Sequence, residues 1–495
     1  MFIIKEFELE GRLGVIKTKR GKVETPAFFP VIDPLKQLVS IKEIEEIGFD
    51  QIITNAYLSY KRFGEKLISE GIHNVLNFDK VIMTDSGAYQ ILEYGNIDAS
   101  QETVMNFEKA IGSDIAVILD KPTGDVNKLD AEKSVEETLK NAYEAVKLKD
   151  DKTLWVLPIQ GGRYLDLIKR SSEESAKLPF DIFAIGSPTV FLEKYSYKTI
   201  IDMIATAKNC LPPEKPVHLF GAGHPLIFPF AASLGIDAFD SASYALYARD
   251  NRYMTDYGTE RLEDLDYFTC NCPVCSKYTP KELMEMDKKE RERLLSMHNL
   301  YVIKRSINRT KQAIKEGRLW EFLVEISRYR PEAYEALRSL SKYIKQINKY
   351  NPRYKGNPRG LRFYNEENLW NPRIINYKTW ILTKYLPDEK KVILRQIPKD
   401  TRYCMGEDGR EVIYYTPYIG LIPYEICGVY PTIQFHYYDP IPIQVERDLI
   451  NMVRVFIIKM KKLGYDIIVE ASYNNYYSHD IGKEAERLKV KVNWK

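Results

Sequence analysis

The stretch Val81-Ile-Met-Thr-Asp-Ser-Gly-Ala-Tyr-Gln90 is a short apolar run that ends in a carboxylate, a small-residue turn and an aromatic ring. Ala238-Phe-Asp-Ser-Ala-Ser-Tyr244 repeats the pattern, a second apolar approach to an aspartate. Apolar runs of this length read as buried strands, each delivering an Asp at its C-terminal end. Two such carboxylates, Asp85 and Asp240, are what an enzyme needs when one group acts as nucleophile and the other handles the proton.

Outward from these two runs, further apolar strand candidates occupy 26–32, 51–57, 115–120, 154–160, 182–187 and 216–221, so that with 81–86 and 238–241 there are eight. Charged, helix-length segments such as 134–148 and 195–208 separate most of them. Apolar strands alternating with amphipathic helices imply βα units and a parallel sheet, and eight units fit a closed (β/α)8 TIM barrel. A doubly wound open sheet is the alternative. Asn55, Asp85, Asp120, Gln160, Gly186 and Asp240 all fall at or near the C-terminal ends of their strands, the catalytic face of such barrels. Any one of these polar residues reads equally well as a helix cap or turn former. Their collective placement is what argues for a site.

A chain of 495 residues, 44% apolar, is expected to fold into roughly two to four domains. Short alternating runs around Gly11 and Gly21 read as hairpins ahead of the barrel. The barrel, with a zinc subdomain at 265–300, is assigned to 1–325, a basic helical and β region to 326–435, and a small α/β domain to 436–495. No segment has the flanks of a signal peptide or the roughly 20 apolar residues of a membrane span, which makes a cytoplasmic location the expectation. No repeats or low-complexity tracts occur.

Three of the six cysteines crowd into Cys270-Asn-Cys-Pro-Val-Cys275, a spacing that points to metal rather than to oxidation. His298, 23 positions beyond Cys275, is the fourth candidate ligand. Cys270, Cys272, Cys275 and His298 would form a closed tetrahedral site, hence one structural Zn2+. An unrelated zinc-dependent hydrolase would instead need an open coordination position.

The net charge of +3 conceals a strong asymmetry: −10 over 1–300, +13 over 301–400 and 0 over 401–495. Between 336 and 365 there are eight Lys or Arg and no acid: Arg338, Lys342, Lys345, Lys349, Arg353, Lys355, Arg359 and Arg362. Tyr343, Tyr350, Tyr354 and Tyr364 lie among them. Phosphates need cations and unpaired bases need flat faces, so the mixture suits RNA, a solvated basic helix face being the plainer reading.

Together, Thr84-Asp-Ser-Gly-Ala-Tyr-Gln90, Leu157-Pro-Ile-Gln-Gly-Gly162, Phe239-Asp-Ser-Ala-Ser-Tyr-Ala-Leu-Tyr247 and the cysteine cluster resemble the signatures of the tRNA-guanine transglycosylases, in family order. The likeness is to the archaeal branch of archaeosine biosynthesis, strong over 1–325 and weaker beyond. It implies exchange of a D-loop guanine of tRNA, at position 15, for free 7-cyano-7-deazaguanine (preQ0) through a covalent ribosyl-enzyme ester. By motif, Asp240 matches the nucleophile and Asp85 the proton-handling carboxylate, although the sequence leaves these roles exchangeable. Asp120 and Gln160 would recognise the base, Ser86 and the backbone at Gly186 would add contacts, and Tyr89 would stack on the ring.

Two departures qualify the likeness. Gly186-Ser-Pro188 stands where bacterial relatives carry a Gly-Gly-Leu turn, which favours a nitrile-bearing base over an amine-bearing one. No module of the size of the C-terminal RNA-binding PUA domain common in archaeal members is read before Lys495, and the expectation is that a separate PUA protein, or the basic 336–365 region with the two small units after it, would serve that role. A homodimer is implied by resemblance alone. The alternative to an enzyme is a non-catalytic tRNA-binding subunit, which would be expected to lack an active-site carboxylate that this chain keeps.

Overall fold

The computed structural model describes residues 1–87, 100–352, 360–397, 404–429, 432 and 435–495. The chain forms two compact units, Met1–Lys315 with Glu325–Tyr343, and Glu316–Val324 with Ile344–Lys495.

The first unit begins with an antiparallel sheet of β1 (Phe2–Glu8), β2 (Gly11–Lys17) and β3 (Lys22–Thr25). Eight parallel strands follow: β4 (Ala27–Ile32), β5 (Gln51–Asn55), β6 (Val81–Asp85), β7 (Ile115–Val117), β8 (Leu154–Ile159), β9 (Ile182–Ile185), β10 (Val217–Leu219) and β11 (Ala238–Ser241). They close in sequence order, and β11 returns to β4 with Ala238 opposite Ala27 and Ser241 opposite Pro30. The expected TIM barrel is therefore present, built from the eight runs that the sequence marks, and the open-sheet alternative is excluded.

Strand periodicity decides what faces the barrel interior. Val81 and Met83 lie in the interior cluster, so Asp85, two residues on, points the same way. The same parity carries Ile53 to Asn55, Val156 to Gln160, Ala184 to Gly186 and Ala238 to Asp240. On each of these five strands the residue that reaches the C-terminal rim is polar or glycine. Ile16 and Val23 of the N-terminal sheet join the interior cluster from below.

Below β11, Arg12 is buried against Asp237, with Nε 2.9 Å from Oδ1 and a second bond from Nη2 to Oδ2. Asp237 also accepts the Val217 N–H at 2.8 Å, tying the start of β10 to the pair. A buried ion pair holds only when its remaining lone pairs and protons are also satisfied, and Arg12 meets that need by donating to the carbonyls of Pro213 and Lys215.

After the barrel come the short hairpin β12 (Arg252–Met254) and β13 (Thr259–Arg261), the cysteine loop, and the 29-residue helix Lys288–Glu316. The second unit has the two-stranded β14 (Leu361–Arg362) and β18 (Phe435–His436). Its five-stranded sheet runs β17 (Gly420–Pro423), β16 (Glu411–Thr416), β15 (Lys391–Gln396), β19 (Asp466–Ala471) and β20 (Lys491–Trp494). Strands from both sides of residue 435 share this sheet, so the two C-terminal segments separated in the sequence build one core, with the amphipathic helix Ile443–Lys462 packed on it. Cys404 and Cys427, a pair the sequence does not single out, are joined by a disulfide with Cα atoms 6.4 Å apart. Among the described residues no helix is long and apolar enough to cross a membrane.

Candidate active site and metal centre

Asp85 ends β6 beside Asn55, its neighbour in register at the end of β5. Asn55 caps the helix Ala56–Phe63 through its Oδ1, which accepts the Leu58 N–H at 2.8 Å. The cap fixes the amide so that Nδ2 faces Asp85 Oδ2, 3.5 Å away. Burial and the neighbouring charge of Asp240 push the Asp85 carboxyl up to about 6, while N–H donors from Gly87, Asn55 and Ser86 pull it back. Gly87 lies at φ +84°, and a Cβ there would come within 2.9 Å of Tyr57, so the turn requires glycine. Ser86 is buried beside it.

Asp240, mostly buried at the end of β11, accepts two donors on one oxygen. His218 Nε2 lies 2.7 Å from its Oδ1 and the Gly221 N–H 3.1 Å from the same atom.

Asp120 follows β7, and its Oδ2 accepts Gln160 Nε2 at 2.6 Å. Burial and the charge of Asp85 raise Asp120 to about 7, against the lowering effect of that hydrogen bond. Gln160 is fixed from behind, where its Oε1 accepts from Thr123 N (3.1 Å), Thr123 Oγ1 (3.0 Å) and Ser187 Oγ (3.0 Å). With its oxygen so occupied, Gln160 can offer a ligand only its remaining amide N–H. Gly186 leaves the space that this amide fills.

The rim therefore gathers Asp85, Ser86, Asp120, Gln160, Gly186 and Asp240. Mutual electrostatic effects run from Asp240 to Asp85 and from Asp85 to Asp120. Carboxylates whose environments differ in this way can divide acid and nucleophile roles. Tyr89 falls at 88–99, outside the described residues. Two participants escaped the sequence reading. His218 is one, signalled only as a lone polar residue inside the 216–221 run. Glu108 is the other, buried behind the sheet, where burial raises it well above the usual range and it accepts the Thr84 hydroxyl at 2.8 Å.

The cysteine loop and the long helix build a second centre. The ligand atoms of Cys270, Cys272, Cys275 and His298 lie within 4.8 Å of one another, a set that could hold a metal ion. His298 Nδ1 lies 3.5 Å from Cys272 Sγ and 3.3 Å from Cys275 Sγ, while Nε2 donates to Met254 O at 2.9 Å. That outer bond fixes the tautomer and aims Nδ1 at the thiols. Tyr253 stacks on the imidazole at 3.8 Å, and Arg305 reaches Cys270 Sγ at 3.5 Å.

Of the basic residues, Lys342 belongs to the first unit and Lys345, Lys349 and Arg362 to the second, all four being exposed. Tyr350 and Tyr364 are exposed as well, whereas the Tyr343 hydroxyl donates to Asp202 at 2.9 Å. Arg353, Lys355 and Arg359 lie in 353–359, outside the described residues.

A family model described as queuine tRNA-ribosyltransferase matches residues 8–332, the barrel and both centres included. A tRNA-guanine(15) transglycosylase of Aeropyrum pernix is 48% identical over 482 residues, covering 95% of this chain and 94% of the relative. Proteins of the same name from Sulfolobus acidocaldarius and Methanocaldococcus jannaschii are 46% and 42% identical, covering 92% and 96% of this chain and 92% and 74% of their own lengths. With a barrel rim carrying opposed carboxylates and this similarity along nearly its whole length, the chain belongs to the tRNA-guanine transglycosylase family, transferases that exchange a base in tRNA.

Proposed function

We propose that this protein replaces guanine 15 in the D-loop of tRNA with preQ0, in archaeosine biosynthesis, by double displacement at the barrel rim. Asp240 Oδ2 attacks C1′ of the nucleotide, the C1′–N9 bond breaks, and the departing guanine takes a proton from Asp85. The incoming base returns a proton to Asp85, attacks C1′ and releases Asp240. Each N-glycosidic bond made replaces one broken, so no redox or nucleotide cofactor is required. The observation that carries this division of labour is the contrast between the two carboxylates. Asp85 is pushed up to about 6, where it can hold a proton near neutrality. Asp240 accepts two N–H donors on Oδ1, and among the described residues none donates to its Oδ2.

Asp120 takes the amine edge of the base, with N1–H and the exocyclic amine donating to its carboxylate, and the spare N–H of Gln160 serves a ring acceptor. Ser86 and the Gly186 backbone complete the pocket, and Tyr89 stacks on the ring. The turn Gly186-Ser-Pro188, with Ser187 at φ +57°, favours a nitrile over an aminomethyl arm. The cysteine-histidine set holds one zinc ion in a closed, structural site, because three thiolates and an imidazole leave no position for water. The basic residues at 342–362 hold tRNA phosphates, alone or beside a separate PUA protein, in a cytoplasmic homodimer.

The deciding experiment measures incorporation of labelled preQ0 and guanine into unmodified tRNA by wild type, Asp85→Ala and Asp240→Ala. Incorporation by the wild type and loss in both variants supports base exchange. A covalent RNA adduct that survives in Asp85→Ala but not in Asp240→Ala names Asp240 as the nucleophile, and no incorporation by folded, metal-loaded protein overturns the reading.

A further inference from the structure

We infer that His218 is a positioning residue for Asp240, holding Oδ1 so that Oδ2 attacks and then taking up the charge that returns to Oδ1 when the ester breaks. The inference rests on the proposed role of Asp240 as nucleophile. His218 is 1% exposed and sits on β10, directly beside β11 in the barrel wall. Its ring is flanked by Phe29 and Phe220, with centroids 5.8 and 5.0 Å away, so apolar walls keep it from turning to another partner. A carboxylate nucleophile carries no proton to donate, so the hydrogen in the 2.7 Å contact lies on His218 Nε2. The Gly221 N–H reaches the same oxygen at 3.1 Å, from a backbone at φ +65° where a Cβ would meet Thr189 Oγ1 at 2.5 Å. Two independent elements, a strand side chain and a glycine turn, thus converge on one oxygen of one carboxylate.

This arrangement distinguishes the two chemical steps. As Oδ2 bonds to C1′, Oδ1 becomes the carbonyl oxygen of a neutral ester and needs its donors less. As the incoming base breaks the C1′–Oδ2 bond, the electron pair returns to the carboxylate and negative charge reappears on Oδ1, against the two N–H groups. Donors aimed at charge that develops in a transition state accelerate that step. Loss of His218 therefore slows ester breakdown more than ester formation.

The test uses the full chain, unmodified tRNA and labelled guanine. Adduct formation and its chase by free base are timed separately for wild type, His218→Phe and His218→Gln, the glutamine amide retaining an N–H near the Nε2 position. In His218→Phe the chase is expected to slow by about 10- to 100-fold, the size of one hydrogen bond to a charged group. Adduct should accumulate, with Kd for tRNA within about two-fold because no tRNA contact is removed. His218→Gln should recover most of the rate. Should His218→Phe not fold, His218→Asn, whose amide falls short of Asp240, replaces it. Wild-type chase rates in the folded phenylalanine or asparagine variant overturn the proposal. Equal loss in the glutamine variant at unchanged melting temperature and metal content also overturns it. Adduct surviving in Asp240→Ala but lost in Asp85→Ala would sink the nucleophile assignment itself, a different outcome from a silent His218.

Discussion

Gly186 and Gln160 are packed so closely that a Cβ on Gly186 would lie 2.3 Å from Gln160 Nε2 and 2.7 Å from its Cδ. No rotation of a methyl group relieves such a contact, and Gln160 is held from behind by Thr123 and Ser187. Gly186→Ala should therefore push the amide off Asp120. An error of about 1 Å in a positioned group costs on the order of 100-fold, which is the expected loss in kcat/KM for the free base. Labelled-guanine exchange at varied base concentration checks this, with KM for tRNA as the internal control.

Asp85 and Asp120 are raised to about 6 and about 7, so the folded protein binds more protons than the unfolded chain between pH 4 and those values. Their contribution to stability is fully present below the unfolded carboxyl range and is lost as pH rises through 6 to 7. Asp85→Asn and Asp120→Asn should each be more stable than wild type at pH 8, by roughly 3 and roughly 4 kcal/mol respectively, and the advantage should vanish near pH 4. Melting temperatures across that range decide it. A wild-type stability that rises with pH would contradict the assignment.

Metal analysis of the purified chain should return one zinc per chain. Strong chelation should lower the melting temperature by about 10 °C or more, since metal binding to a closed site is folding free energy. His298→Ala should do the same. Metal-free protein that melts unchanged would refute the structural role.

Lys345→Ala, Lys349→Ala and Arg362→Ala should each raise KM for tRNA and leave kcat near wild type. Each lost phosphate contact should reduce the slope of log affinity against log salt by about one. Filter binding at several salt concentrations measures that slope. An unchanged slope would mean that the residue is an ordinary solvated cation.

Arg12→Ala should destabilise the first unit by about 3–5 kcal/mol, because Asp237 is left buried without its partner. Chemical denaturation followed by tryptophan fluorescence provides the reading. A cost below about 1 kcal/mol would show the pair to be solvated in solution.

The sequence by itself determined the barrel and most of its rim. Eight apolar runs, spaced by helix-length segments and ending in Asn55, Asp85, Asp120, Gln160, Gly186 and Asp240, suffice because strand parity and the C-terminal rim rule are local properties of the chain. The Cys270–Cys275 cluster was legible for the same reason, its ligands being close in sequence. Tertiary structure alone decided who meets whom. His218 and Asp240 are 22 residues apart on neighbouring strands, and only barrel closure brings Nε2 to Oδ1. Asp120 and Gln160, 40 residues apart, prove to be bonded to each other, an arrangement that no linear spacing encodes. The joining of 391–396 and 466–471 in one sheet and the pairing of Cys404 with Cys427 belong to the same class. Periodicity reports which face of an element is buried, and contacts between elements depend on how those faces pack.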